Sequence, residues 1–136
     1  MAIKLSFSAR TLISGSNPGI LGTVNPDGSP QTSVIWVGED GGDLVMSSAA
    51  GRRKVRNLER DPRASLTIVD LEDIEQYIEI RGTATVTEDP GRALAVALGE
   101  KYEGPGGGQV FLDLPPDVVR VVIRLTPLKI VGSAAG

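Results

Sequence analysis

The 136-residue sequence contains no cysteine and no histidine. The first absence excludes disulfides, thiolate nucleophiles and zinc-thiolate sites. The second removes the commonest metal ligand and the usual proton carrier near neutral pH. Serine-histidine and cysteine-histidine catalysis are therefore ruled out, and no metal site is expected. Aromatic residues make up only 4 %, so the 40 % hydrophobic share rests mainly on Val, Ile, Leu and Ala. Such a composition suits a compact core of branched aliphatic side chains. No run of about twenty apolar residues occurs, and the opening MAIKLSFSARTLISGSNPG is too weakly apolar for a signal sequence or a membrane span. These features predict a soluble cytoplasmic protein with no membrane partner, and the length suits one domain over residues 1–136.

What the sequence does have is positive charge in one place. The formal net charge is -3, which argues against general attraction to nucleic acid, yet six of the fourteen cations fall in Gly51–Arg63, GRRKVRNLERDPR. The basic segment must act locally.

A coarse reading of the chain places that segment. Residues 6–14 are read as a short helix stopped by GSNPG. ILGTVNPDGSPQTSVIWV carries two β-rich runs around Asn25-Pro26-Asp27-Gly28, where Pro fixes one turn dihedral and Gly tolerates positive φ; this predicts a hairpin whose second arm runs from Gln31 to Val37. GEDGGD gives another turn, and LVMSS reads as a third strand following in antiparallel order. Ala49 to Arg60 is predicted helical and stopped by Asp61-Pro62, because the residue before proline is pushed out of the helical region. RASLTIVD and IEQYIEIRGTATVTE read as adjoining strands. In the second, Ile74, Gln76, Ile78 and Ile80 share one face, Glu75, Tyr77, Glu79 and Arg81 the other, and Gly82 marks a bulge or bend. A helix from about 90 to 102 with Leu94, Ala97 and Leu98 on one side, a mobile EGPGGGQ loop, and a strand through DVVRVVIRLTPLKIVG bent at Pro127 complete the reading. Six or seven mostly antiparallel strands with inserted helices suggest a mainly β fold, a small barrel closed by helices; an open sheet with helices on one face is the alternative.

With a helix start near Ser48 or Ala49, the free N–H groups of its first turn, its positive dipole end and the hydroxyls of Ser47 and Ser48 converge on one point, beside Arg52 and Lys54. On a helical wheel Gly51, Val55 and Leu58 face the sheet, Arg56 and Arg60 point away, and Lys54 flanks the apolar stripe, its stem packed and its ammonium presented to a cleft. From these residues alone two readings stand: an anion site, or a solvated helix with Arg–Glu pairs. The acidic run Asp70, Glu72, Asp73, Glu75 and Glu79 matches no calcium loop and reads as a solvated face. Trp36 and Tyr77 read by themselves as packing residues, and GPGGG lacks both the strand–helix context of a dinucleotide fingerprint and the lysine of a phosphate loop.

LGTVNPDGSPQTSVIWV, GGDLVMSSAAGRRKVRNLERDPRASLTIVD and YIEIRGTATVTED resemble, in order and spacing, the pyridoxamine 5'-phosphate oxidase-like split β-barrel oxidoreductases, and among them the actinobacterial branch that uses the deazaflavin coenzyme F420. The likeness spans about residues 10–132. It implies an FMN-binding type of split barrel, a homodimer, and a cofactor in a groove between subunits. Its phosphate would be held by a cation pair that falls here on Arg52 and Lys54, with Ser47 and Ser48 on the preceding turn and Arg53 also among the cofactor-binding residues. The strand Gln31, Thr32, Ser33, Val34 and Trp36, together with Met46, would line the ring, and Tyr77 and Arg81 would reach the neighbouring subunit's site. Four cations, Arg52, Arg53, Lys54 and Arg56, exceed what one phosphate needs, which favours F420 and its extended anionic tail over FMN. The activity implied is hydride transfer between the deazaflavin and a small conjugated substrate; an FMN-dependent oxidoreductase or a non-catalytic cofactor-binding protein are the alternatives. No residue is singled out as catalytic.

Overall fold

The computed structural model describes residues 2–136. Its core is a single seven-stranded sheet, every neighbouring pair antiparallel, curled into a half-barrel. The strands are β1 (Gly19–Val24), β2 (Pro30–Ile35), β3 (Val37–Asp40), β4 (Asp43–Ala49), β5 (Arg63–Asp70), β6 (Asp73–Glu88) and β7 (Arg120–Val131), and their order in the sheet is β2-β1-β5-β6-β7-β4-β3. One face of the strands supplies Leu21, Ile35, Leu44, Met46, Leu66, Ile68, Ile78, Ile80, Ile123 and Leu125 to the core. Helix α1 (Phe7–Ser14) adds Ala9, Leu12 and Ile13, and α2 (Arg53–Arg60) adds Val55 and Leu58. The core is almost purely aliphatic, as the composition requires. The fold is therefore mainly β, a split barrel with inserted helices.

Local chemistry explains most boundaries. Ser6 caps α1, its side chain accepting from Ala9 N at 3.1 Å. The β1–β2 hairpin turns at the expected place, with Gly28 at φ 87° and its N–H donating to Asn25 O at 2.8 Å. Helix α2 ends at Arg60, before Asp61-Pro62. At Gly82 the β6–β7 register jumps from Arg81↔Lys129 to Gly82↔Pro127, leaving Leu128 as the extra residue of a bulge. A Cβ on Gly82 would lie 1.9 Å from Thr126 O, so only glycine fits. Pro127, with no N–H to donate, is tolerated at this irregularity, and β7 continues through it.

Several expectations need correction. The arm expected over 31–37 is two strands, because the chain leaves β2 at Ile35 and enters β3 at Val37; the third strand of the reading, β4, pairs with β3 and β7 and not with β2. The basic helix starts at Arg53 rather than near residue 48 or 49. Pairing of Ser47, Ser48 and Ala49 with Val122, Val121 and Arg120 extends the strand, and Gly51 at φ 81° turns the chain before the helix can begin. The helix expected over 90–102 is a 3₁₀ turn, Pro90–Arg92, followed by α3 (Ala93–Glu103), since Gly91 and Arg92 take positive φ of 64° and 57°. Its buried side is Ala95, Leu98 and Gly99, whereas Leu94 is half-buried and Ala97 exposed. Ile74 is exposed because residues 74–76 run past the ladder: β5 pairing skips from Tyr77 to Asp73, and β7 pairing stops at Glu79.

The glycine-rich segment is also built differently from a mobile loop. Glu100 accepts from Gly106 N at 3.0 Å and Gly108 N at 2.6 Å, so its carboxyl is held below the ordinary range by the Gly108 and Gly106 N–H groups. Gly108 lies so near α3 that a Cβ would stand 2.6 Å from Val96 O. The turn leads directly into α4 (Gln109–Leu112).

Candidate functional site

A cleft of 290 Å³ opens where β4, β7, the start of α2, α3 and α4 meet the end of β2. Its polar wall comes from Ser47, Ser48, Arg52, Lys54 and Arg120, its apolar wall from Val34, Trp36, Ala95, Leu98 and Phe111. On β4, Met46 points into the barrel and is fully buried, while its neighbour Ser47 faces the other way; at the strand end Ser48, though buried, also reaches the cleft wall. Across the β4–β7 ladder, where Ala49 pairs with Arg120, the Arg120 guanidinium reaches back diagonally and Nη2 donates to Ser47 Oγ at 2.8 Å. The guanidinium carbon sits 5.0 Å from the centre of the Phe111 ring, a cation–π contact.

Arg52 is the N-cap residue of α2 and supplies no side-chain cap, so the first-turn N–H groups of the helix lack that partner. Lys54 is half-buried, and its ammonium is pushed below the ordinary lysine value by burial and by the positive charges of Arg52 and Arg120. Burial also lowers Arg120; Asp89 opposes this, and Arg52 and Arg92 add to it. The cleft is thus a concentration of mutually repelling cations, a state that an anion would relieve.

Trp36 is the residue between the two edge strands, and its ring is fixed from two sides. It stacks on Tyr102 at 5.1 Å and 6°, and meets Phe111 edge-on at 6.4 Å and 80°. Tyr102 Oη accepts from Val37 N at 3.0 Å and donates to Asn17 O at 2.8 Å. Lys101 Nζ donates to Ile13 O at 2.7 Å and Val37 O at 2.6 Å, and burial pushes it down to about 8. The α3 C-terminus therefore ties Val37, the residue that follows Trp36, to the end of α1 and the segment after it.

Of the residues expected from the sequence, the cleft brings together Val34, Trp36, Ser47, Ser48, Arg52 and Lys54. Others lie elsewhere. Gln31 is turned to Thr23, whose Oγ1 donates to Gln31 Oε1 at 2.6 Å. Thr32 and Arg81 line a second, more apolar groove of 550 Å³ on the outer face of β1, β2, β5, β6 and β7. Ser33 is half-buried, and its Oγ lacks a hydrogen-bond partner among the described residues. Arg53 is exposed and outside the cleft, Met46 is core, and Tyr77 is exposed and borders neither cavity. Arg81 is paired with Glu79 at 3.0 Å.

Four participants escaped the sequence reading: Arg120, Phe111, Lys101 and Tyr102. For Arg120 a signal existed, since Arg120 and Arg124 alternate on one face of β7. Nothing local marks the other three, whose roles depend on where α3 and α4 dock. Buried Asn57 was also missed. It donates to Thr23 Oγ1 and Asn25 Oδ1, both at 3.0 Å, and ties the basic helix to the β1–β2 hairpin.

Solved structures resemble this architecture closely. An F420 reductase superposes with a TM-score of 0.74 at 28 % identity, over 90 % of this chain and 94 % of its own. A conserved hypothetical protein from Mycobacterium tuberculosis gives 0.75 at 26 %, over 95 % and 84 %. A heme binding protein from Mycobacterium smegmatis gives 0.66 at 26 %, over 90 % of this chain and 51 % of its own. The profile of one protein family matches residues 8–132, nearly the whole length, and with the half-barrel and its cationic cleft this places the chain in the pyridoxamine 5'-phosphate oxidase family.

Proposed function

We propose that this protein is an F420-dependent oxidoreductase that transfers a hydride between the deazaflavin and a small conjugated substrate. In this reading residues 1–136 form one domain, and the protein works as a cytoplasmic homodimer with the cofactor between subunits. The observation that carries the reading is the cleft itself, in which Arg52, Lys54 and Arg120 gather beside a stacked tryptophan.

The residues present fit such a group. Among the described residues Arg120 Nε is a buried donor without a partner, and Lys54 stands among like charges; both are properties that an anionic oxygen would correct. Arg52 and Lys54 would hold the phosphate, helped by the Ser47 hydroxyl and the free first-turn N–H groups of α2. Val34 and Trp36 would border the ring, with Thr32 continuing the same face of β2 into the second groove. When bound, the deazaflavin supplies the hydride-carrying carbon, so the chain's contribution is to bind, orient and exclude water. The lack of histidine is no obstacle to such chemistry. Exposed Val34, Ile20 and Leu128 on the outer sheet face support pairing with a second copy.

Fluorescence titration with F420 and with FMN tests the reading. F420 binding the more tightly, and weakening at least tenfold in Arg52→Ala and Lys54→Ala, is the expected result. Tighter FMN binding would select the flavin alternative, and unchanged affinity in both variants would move the site elsewhere. Oxidation of reduced F420 by a panel of quinones and conjugated enones separates an enzyme from a carrier. Light scattering of the purified protein reports whether it is a dimer.

A further inference from the structure

Two arginines on the same face of β7 have opposite surroundings. Arg124 is neutralised, pairing with Asp40 at 2.6 Å and Asp43 at 3.2 Å. Arg120 has no ion pair among the described residues. The carboxylate nearest to it in effect, Asp89, spends its two oxygens on Leu94 N and Ala95 N, each at 3.0 Å. Arg92, the other cation acting on it, is committed to the carbonyls of Phe111, Leu114, Pro115 and Val118. Arg120 is nevertheless held in place by Ser47 Oγ and the Phe111 ring, with its buried Nε left unpartnered. A guanidinium fixed by neutral groups, facing a cleft and short of one acceptor, is pre-organised for an anion from outside the chain.

Resting on the proposed cofactor site, we propose that Arg120 binds a second negative charge at the anionic end of the ligand, in addition to the one held by Arg52 and Lys54. The cleft is thereby selective for a doubly charged end over a singly charged phosphodiester. The shared chemistry is a second ionised oxygen, either on the same phosphorus or on a carboxylate next to it. Three cations, none of them in an ion pair among the described residues, would otherwise face a single ligand charge, with only Asp89 acting against the surplus.

The test uses small probes and the emission of Trp36, the chain's single tryptophan, which borders the cleft. At about pH 8 and fixed ionic strength, phenyl phosphate is a dianion, because its second ionisation lies near 6. Methyl phenyl phosphate is a monoanion, and a phenyl phosphodiester whose second alcohol bears a carboxylate is again doubly charged. Wild type is expected to prefer at least one doubly charged probe over methyl phenyl phosphate by tenfold or more. Arg120→Gln should cut that preference to threefold or less by weakening the doubly charged probe more than methyl phenyl phosphate, and Arg120→Lys should retain part of it. Preference for phenyl phosphate alone puts the second charge on phosphorus; preference for the carboxylated diester alone puts it on the neighbouring carboxylate. An undiminished preference in Arg120→Gln, or equal weakening of all probes in both Arg120 variants with unchanged near-ultraviolet circular dichroism, overturns the proposal. Should cofactor binding respond to Arg52→Ala and Lys54→Ala while the probe preference survives loss of Arg120, only this inference falls. If wild type binds none of the probes and neither cofactor, the cofactor reading falls with it.

Discussion

Asn57→Ala should cost about 3 kcal/mol of stability and loosen the basic helix from the strand beside it. The side chain is fully buried, donates two hydrogen bonds of 3.0 Å and accepts a longer one, 3.3 Å, from Arg60 Nη1. Each good bond contributes about 1 kcal/mol net, and the void left by the missing amide adds about 1 more. Thr23 Oγ1 keeps its partner Gln31, so no further penalty arises there. In urea, with a slope of about 2 kcal/mol per molar, the midpoint should fall by roughly 1.5 M, read from Trp36 fluorescence. Asn57→Asp keeps the shape but sets an oxygen against Thr23 Oγ1 and Asn25 Oδ1. Near neutral pH its loss should at least match that of the alanine variant. An alanine variant within about 0.5 kcal/mol of wild type would show that the Thr23–Asn57–Asn25 network does not hold α2 to the hairpin, and would refute the reasoning.

Gly82→Ala drives a methyl group into the Thr126 carbonyl, so a loss of about 3 kcal/mol or more is expected in urea unfolding, against a few tenths for Gly28→Asn in the open hairpin turn. Glu100 has its folded-state value lowered by the Gly108 and Gly106 N–H groups. Its stabilisation is therefore present above the ordinary 4.5 and lost as pH falls through the lowered value; the melting temperatures of wild type and Glu100→Gln should converge in acid. A gap that persists or widens on acidification would count against the contact. Lys101 behaves oppositely. Its folded value of about 8 lies below the ordinary 10.5, so the unfolded chain binds more protons between them, and stability should rise with pH across about 8 to 10 relative to Lys101→Met. The side chain is only half-buried, so solvent screening holds this gain to about 1–2 kcal/mol. A flat difference between the two melting curves over that range would contradict a desolvated ammonium.

The sequence revealed most of the strands because alternation and turn chemistry are local. Asn25-Pro26-Asp27-Gly28 and Asp61-Pro62 act within a few residues, and Gly82 announces its bulge by its chemistry alone. Partners along the sheet were less legible. Gln31 to Val37 is continuous as a pattern, and only the docking of Tyr102 and Lys101 shows why the chain changes edges at Trp36. The same holds for the site. Arg52 and Lys54 were visible as a charge cluster beside a strand end, whereas Arg120 joins them only through the pairing of Ala49 with a residue seventy-one positions away. Met46 illustrates the opposite failure: next to Ser47 in sequence, it belongs to the other side of the sheet.

The strand order also governs when the cleft can come into being. β3 and β4 form one local hairpin and β1 and β2 another, but β4 touches the rest of the sheet only through β7, the final strand. During synthesis the serine of β4 and the arginine of β7 cannot meet until residue 120 has left the ribosome, and closure of that long loop is entropically slow. Until then the nascent chain exposes two unmatched sheet edges, and ligand recognition is among the last properties it acquires.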